Sequence, residues 1–134
     1  MTASPGPGAP SQQAPGQPAP WPEALDYDRA HRLLRIRFDT GEAFELPAEL
    51  LRVESPSAEV QGHGAGAKQI VPGKALVDIV RMEPVGRYAV RLVFDDGHDS
   101  GLYSWTYLHQ LGRTRETVWQ SYLLALAERG LSRA

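Results

Sequence analysis

Leu34-Arg35-Ile36-Arg37-Phe38-Asp39-Thr40-Gly41-Glu42-Ala43-Phe44-Glu45-Leu46 sets the pattern for the whole chain. Leu34, Ile36 and Phe38 alternate with Arg35 and Arg37, the period-2 signature of a strand with one buried face. Asp39-Thr40-Gly41 supplies turn chemistry, with a glycine able to take positive φ. Phe44 and Leu46 then share one face of a second strand, so the stretch predicts a β-hairpin. Pro47 suits the first position of a helix, where its missing N–H costs nothing. A short helix over 48–52 follows, ended by Ser55-Pro56 because the residue before proline is pushed out of the α region.

Downstream, residues 75–83 are apolar and β-branched enough for a third strand, although Val77 and Ile79 compete with Leu76, Val80 and Met82 for its inner face. Tyr88, Val90, Leu92 and Phe94 alternate with Ala89, Arg91 and Val93 to give a fourth strand, and Asp95-Asp96-Gly97 marks a turn. Ser104 is a good N-cap for a short helix carrying Trp105, Leu108 and Leu111, with Gly112 just past its end. A last helix over about 115–129 carries Thr114 as N-cap, Gly130 as stop, and a stripe of Trp119, Tyr122, Leu123 and Leu126. The expected fold is α+β: a small antiparallel sheet of two strand pairs, a short helix after the first hairpin, and C-terminal helices.

Upstream, residues 1–22 (MTASPGPGAPSQQAPGQPAPWP) hold most of the 11 prolines. The composition predicts a disordered tail with polyproline II character, inert or a docking peptide for a proline-binding domain. Residues 23–134 form the single expected domain. Residues 54–74 show little periodicity and are punctuated by Gly62, Gly64, Gly66 and Gly73; a loop of about 20 residues inside a small domain is unusual.

The 134 residues are 42% hydrophobic and 22% charged with a formal net charge of −2, ordinary for a globular protein and unfavourable for general nucleic-acid binding. There is no cysteine, which excludes disulfides, thiolate zinc sites and cysteine nucleophiles within the chain. No apolar run reaches membrane-span length and no signal peptide is evident, so a cytoplasmic location is expected.

Three ordered blocks resemble the gamma-butyrobetaine-hydroxylase-like N-terminal domain family: Glu49 through Gly64 with its Arg52-Val53-Glu54-Ser55-Pro56-Ser57 core, Glu83-Pro84-Val85-Gly86-Arg87-Tyr88-Ala89-Val90, and Asp95 through Leu108 with Gly101-Leu102-Tyr103-Ser104-Trp105. The resemblance covers roughly residues 30–112. It implies a domain that stands alone in bacteria, precedes carnitine-synthesis oxygenases, or is fused to Mrp-type P-loop ATPases that handle iron–sulfur clusters. In the oxygenases a structural zinc is held by three cysteines, in a Cys-Pro-Cys-x-x-Cys run, and by a histidine in an Asp-x-His segment. Those cysteine positions fall on Ser55, Ser57 and Val60 here, and the histidine position on His98. Neutral hydroxyls and a valine do not replace thiolates in a tetrahedral zinc site, so the inherited site is expected to be absent. Hydrogen bonds from Ser55 and Ser57 to the backbone are expected in its place. Iron or another metal stays open.

Other candidates carry weaker signals. His63 and His98, with Asp99 as an oxygen ligand, are the pair to consider for a metal, but no HxxxH or HExxH spacing accompanies them. The plainer reading has His98 capping a turn and His63 in a loop; His31 and His109 read as surface or helix-end residues. Gly62-His63-Gly64-Ala65-Gly66-Ala67-Lys68 lacks the Gly-Lys-Ser/Thr of a phosphate loop. Tyr103, Trp105 and Tyr107 make an aromatic cluster, with Trp105 expected in the core and its neighbours at the sheet edge. Arg52, His63, Lys68, Tyr103 and Trp105 are the candidate interaction surface, and Arg52 and Glu59 a possible ion pair. No nucleophile–base–orienter set is evident. The expected role is a non-catalytic accessory domain for a protein partner, an Mrp-type ATPase or iron–sulfur client. A metal-binding protein using His63 and His98, or a small enzyme with a site under the 54–74 loop, are the alternatives.

Overall fold

A computed structural model describes residues 19–62 and 68–134. The elements run β1 (Pro22–Asp28), β2 (Leu33–Phe38), β3 (Ala43–Pro47), α1 (Ala48–Val53), α2 (Ala58–Gln61), β4 (Ile79–Val85), β5 (Ala89–Phe94), β6 (Leu102–Ser104) and α3 (Trp105–Glu128). The fold is α+β, as expected. Each predicted strand pair gains a third member, giving two antiparallel sheets in the orders β1-β2-β3 and β4-β5-β6.

The added strands were hidden for different reasons. In β1 Leu25 and Tyr27 point inward between Asp26 and Asp28, but the proline-rich run extends to Pro22 and masks the alternation. The ordered domain accordingly begins before residue 23: Pro20 is buried, and the Trp21 N–H donates to Asp39 Oδ1 at 3.2 Å while its carbonyl accepts from the Asp39 N–H. The proposed tail otherwise falls on residues 1–18, outside the described residues. β6 is only three residues long, too short for a periodicity reading.

One core unites the two sheets. Leu34, Ile36, Phe38 and Leu46 meet Ile79, Val90, Leu92, Phe94 and Tyr103, with Leu50 and Leu51 of α1 and Leu108 and Leu111 of α3. The ambiguous face of residues 75–83 has a physical cause. Val77 and Ile79 are buried, and a register shift between Ile79 and Arg81 then changes the phase, leaving Val80 outside and Met82 against the core. Tyr88, expected inside, lies in the turn before β5 and is 63% exposed. Between the sheets the Tyr27 hydroxyl donates to Asp78 Oδ1, and Arg29 Nη1 donates to the Ile79 carbonyl at 3.1 Å.

The two C-terminal helices expected on either side of Gly112 are one continuous helix of 24 residues. Ser104 caps it, its Oγ accepting from the Tyr107 N–H at 3.0 Å. Thr114 is not a cap; its hydroxyl donates to the Gln110 carbonyl, four residues back. Gly112 is no stop signal. A Cβ there would lie 2.4 Å from Phe44 Cγ, so glycine allows α3 to press against β3. This gives a prediction with a decisive sign. Helix propensity alone makes Gly112→Ala stabilising by about 0.5–1 kcal/mol. The collision with the Phe44 ring reverses that, and we expect a loss of about 1–3 kcal/mol in urea unfolding.

The chain end is held as well. The Gly73 and Ala75 N–H groups donate to the carbonyls of Ser132 and Arg133, and Arg133 makes a two-pronged ion pair with buried Glu49 at 2.7 and 2.9 Å while its guanidinium lies over the Trp119 ring. No helix of the described residues is long and apolar enough to cross a membrane.

Candidate functional site: a buried Ser–Ser–His cluster

The site is built from two loops. α1 ends at Val53, and Ser55 and Ser57 lie in the bend that leads into α2. Ser57 holds the N-cap position of α2 with extended backbone, but its side chain makes no cap hydrogen bond because it turns toward Ser55 and His98. His98 sits in the β5–β6 connection. There Gly97, at φ 91°, allows the tight turn, the Phe94 N–H donates to the His98 carbonyl at 2.9 Å, and the His98 N–H donates to Asp96 Oδ1 at 3.0 Å.

Together these loops bring Ser55 Oγ to 2.9 Å from His98 Nε2 and 3.2 Å from Ser57 Oγ, with Ser57 Oγ 3.4 Å from the same Nε2. The Ser57 N–H donates to Ser55 Oγ at 3.3 Å, and Gln61 Nε2 donates to the Ser55 carbonyl at 2.8 Å. A neutral ring protonated at Nδ1 presents Nε2 as the acceptor for the Ser55 hydroxyl. Glu59 Oε1, 3.9 Å from His98 Nδ1, also receives the Ser100 hydroxyl and joins the two loops from outside. Ser55 is fully buried, Ser57 6% exposed and His98 8% exposed. Gly101 leaves the room: a Cβ there would stand 2.5 Å from Ser55 Oγ and 2.9 Å from the Tyr103 ring.

Below the cluster, the aromatic segment anchors α1. Tyr103 is fully buried, correcting its place on the interaction surface; its hydroxyl donates to the Leu51 carbonyl at 2.5 Å. The Tyr107 hydroxyl donates to the Glu54 carbonyl. Burial pushes both phenols up. Both hydroxyls thus satisfy carbonyls at the C-terminal end of α1, which the helix itself leaves without partners. Trp105, expected in the core, is only half-buried and donates Nε1–H to the Arg87 carbonyl at 2.8 Å.

Arg52 is also no surface residue. Its side chain is 12% exposed, and it pairs with Asp96 at 2.7 Å rather than with Glu59. Asp96 meets Lys74 at 2.6 Å on its other side. Burial pushes the Asp96 carboxyl up, but the Lys74 ammonium, the His98 N–H and Arg52 outweigh it and bring it down to about 2. Arg52 Nη1 is buried with no hydrogen-bond partner among the described residues. Lys68, exposed, pairs with Glu54. His109, read as a surface or helix-end residue, lies near the start of α3, where it packs edge-on against Phe38 and stands 2.6 Å from Glu42.

The donor set does not fit zinc. It offers two neutral hydroxyls, one imidazole and the buried Val60 side chain. Ligands of a tetrahedral zinc at about 2.0–2.3 Å from the metal stand roughly 3.3–3.8 Å apart. Here Ser55 has closed to hydrogen-bond distance of both Ser57 and His98. Asp99 stays out of the cluster, its carboxylate 57% exposed and 3.6 Å from Arg91. His63 and the rest of 63–67, including most of the glycine-rich stretch, lie outside the described residues. Among the described residues no group of three or more His, Asp or Glu is placed to hold a metal. Under the 54–74 segment a hollow of about 230 Å³ is lined by Glu54, Lys68, Thr117, Ser121 and Tyr122 among others, with no histidine among the described residues that line it.

The cluster has a pH signature. Burial and then the Arg52 charge lower the His98 pKa, against the opposing pull of Glu59, Asp96 and Asp99. The folded state therefore prefers the neutral ring. The corresponding stability is complete above the unfolded-state value of about 6.5 and is lost as pH falls through that value toward the lower folded one. Urea midpoints taken from pH 8 downward should fall in this window for the wild type, and a His98→Gln variant should show a flatter profile.

The class follows from the architecture: a small α+β domain whose two sheets and helices carry a hydrogen-bonded Ser–Ser–His cluster at the joint of two loops. The chain belongs to the family described as gamma-butyrobetaine hydroxylase-like, N-terminal, which it matches over residues 25–109. Two NMR solution structures are similar to it, at 47% and 46% identity with TM-scores of 0.76 and 0.75, covering 90% and 85% of this chain and 90% of each of those chains. A crystal structure from Acidithiobacillus ferrooxidans, a protein of unknown function in the DUF971 family, is 37% identical with a TM-score of 0.58, over 68% of this chain and 91% of that one. No match was found among curated proteins.

Proposed function

We propose that this is a non-catalytic accessory domain that acts by binding a protein partner, in the setting of iron–sulfur or metal handling. One observation carries the non-catalytic part. Ser55, Ser57 and His98 have the chemistry for nucleophilic catalysis, yet they are buried and satisfy one another. A nucleophile must reach its substrate, and Ser55 has no exposed surface. The 3.9 Å gap from His98 Nδ1 to Glu59 is also too long for an orienting hydrogen bond.

The choice of partner rests on the fusions of related domains to Mrp-type ATPases. A cytoplasmic site of action and no resident cofactor go with this reading. Affinity purification of the intact chain from its native host tests it. Enrichment of an Mrp-type ATPase, a cluster scaffold or a cluster-dependent client is the expected result. Its failure to enrich any of these contradicts the assignment.

A further inference from the structure

We infer that the outer face of the first sheet is a docking trough for an acidic, extended segment of a protein partner. The inference rests on the accessory-domain reading and gives its partner a chemistry.

The trough follows from the register. Across β1, β2 and β3, Ala24, Arg37 and Ala43 stand side by side, and Asp26, Arg35 and Glu45 form the next row. In the second row the Arg35 charge is already met, by Glu45 at 2.8 Å and Asp28 at 2.7 Å. In the first row, small alanines on both sides leave Arg37 standing over a depression of about 580 Å³. Phe44 and Gly112 line it toward α3.

Two guanidiniums there lack a firm carboxylate partner. Arg37 has only a 3.4 Å contact with Glu23, both side chains at least half exposed, a pair worth about 0–1 kcal/mol. Arg115 reaches over from α3 and donates to the Glu45 carbonyl, and it enters no ion pair among the described residues. That bond also covers the outer edge of β3 and leaves the rest of the fork free. Paired donor forks over a shallow apolar floor suit carboxylates carried on a chain with apolar side chains between them. Asp26 at the far side disfavours an evenly negative polymer such as a nucleic acid.

The test is fluorescence anisotropy of the full chain with a labelled peptide of alternating Glu and Leu, beside a Lys–Leu peptide and a single-stranded oligonucleotide. The expected result is binding of the Glu–Leu peptide alone. Arg37→Glu combined with Arg115→Glu should weaken it at least about tenfold, the order expected for reversing two contact charges. Arg37→Glu alone, which keeps the β3 edge bond, should weaken it in part, and Arg87→Glu, elsewhere on the surface, should leave it unchanged. Absence of peptide binding, equal loss in Arg87→Glu, or tighter binding of the oligonucleotide through the same arginines would overturn the proposal. The two readings separate cleanly. If a host partner is retained undiminished by the double variant, the trough is wrong and the accessory role stands. If peptide binding follows the arginines but no iron–sulfur or ATPase partner is enriched, the trough stands and that assignment falls.

Discussion

Tyr103→Ala is expected to lower stability by about 3–5 kcal/mol, the range for removing a fully buried aromatic side chain. The ring has no exposed surface and lies in the cluster that joins both sheets to α1 and α3. Removal also strips the Leu51 carbonyl of its hydroxyl partner at the end of α1 and withdraws the wall on which Gly101 and Ser55 are packed. Against a typical total of about 5–15 kcal/mol, such a loss brings the domain near unfolding at room temperature. Tyr103→Phe separates the contributions. It keeps the ring and leaves the carbonyl unpaired, so about 1–3 kcal/mol should be lost. Urea midpoints for the pair of variants check both values. A Tyr103→Phe variant as damaged as Tyr103→Ala would show that the hydroxyl, not the ring, holds the core.

Asp96→Ala should cost an amount comparable to Tyr103→Phe by another route. Arg52 is nearly buried and Asp96 is the carboxylate that compensates it, shared with Lys74. Truncation leaves a cation in a poorly solvated place with one nitrogen already unpartnered. A fully buried pair broken from one side costs about 3–5 kcal/mol; solvent reaches Asp96, so about 1–3 kcal/mol is expected here. The His98 N–H loses its acceptor as well, so the β5–β6 turn should loosen and His98 should leave the two serines. Restoring neutrality in Asp96→Ala/Arg52→Met should recover much of the loss. Acid has the same target. The Asp96 carboxyl is lowered from 3.8 to about 2 in the fold, so its contribution is complete above about 3.8 and fades as pH drops toward 2. Thermal melts of wild type and Asp96→Ala between pH 6 and about 2 should converge at the acid end.

The strands with one buried face were readable from alternation: Leu34, Ile36 and Phe38 in β2, and Val90, Leu92 and Phe94 in β5, all lie inside. Where the pattern misled, a tertiary contact decided the matter. Gly112 reads as a helix stop on propensity, and only the approach of Phe44 from β3 explains it inside α3. Val80 and Met82 could not be assigned a face because the bulge that changes their phase is a property of the pairing with β5. At the site, Ser55, Ser57 and His98 could be named from motif positions. Their closure onto one another depends on two loops more than 40 residues apart in sequence. Arg52 and Tyr103 looked like surface because an arginine and a tyrosine usually keep a polar end in water. Here Asp96 and the Leu51 carbonyl take the place of that water.

Metal content tests the central claim most directly. Protein produced without a histidine tag and measured by inductively coupled plasma mass spectrometry should hold far less than one zinc per chain, and its melting temperature should not move with chelator. Stoichiometric zinc, or a clear fall in melting temperature on chelation, would contradict a cluster held by Ser55, Ser57 and His98 alone.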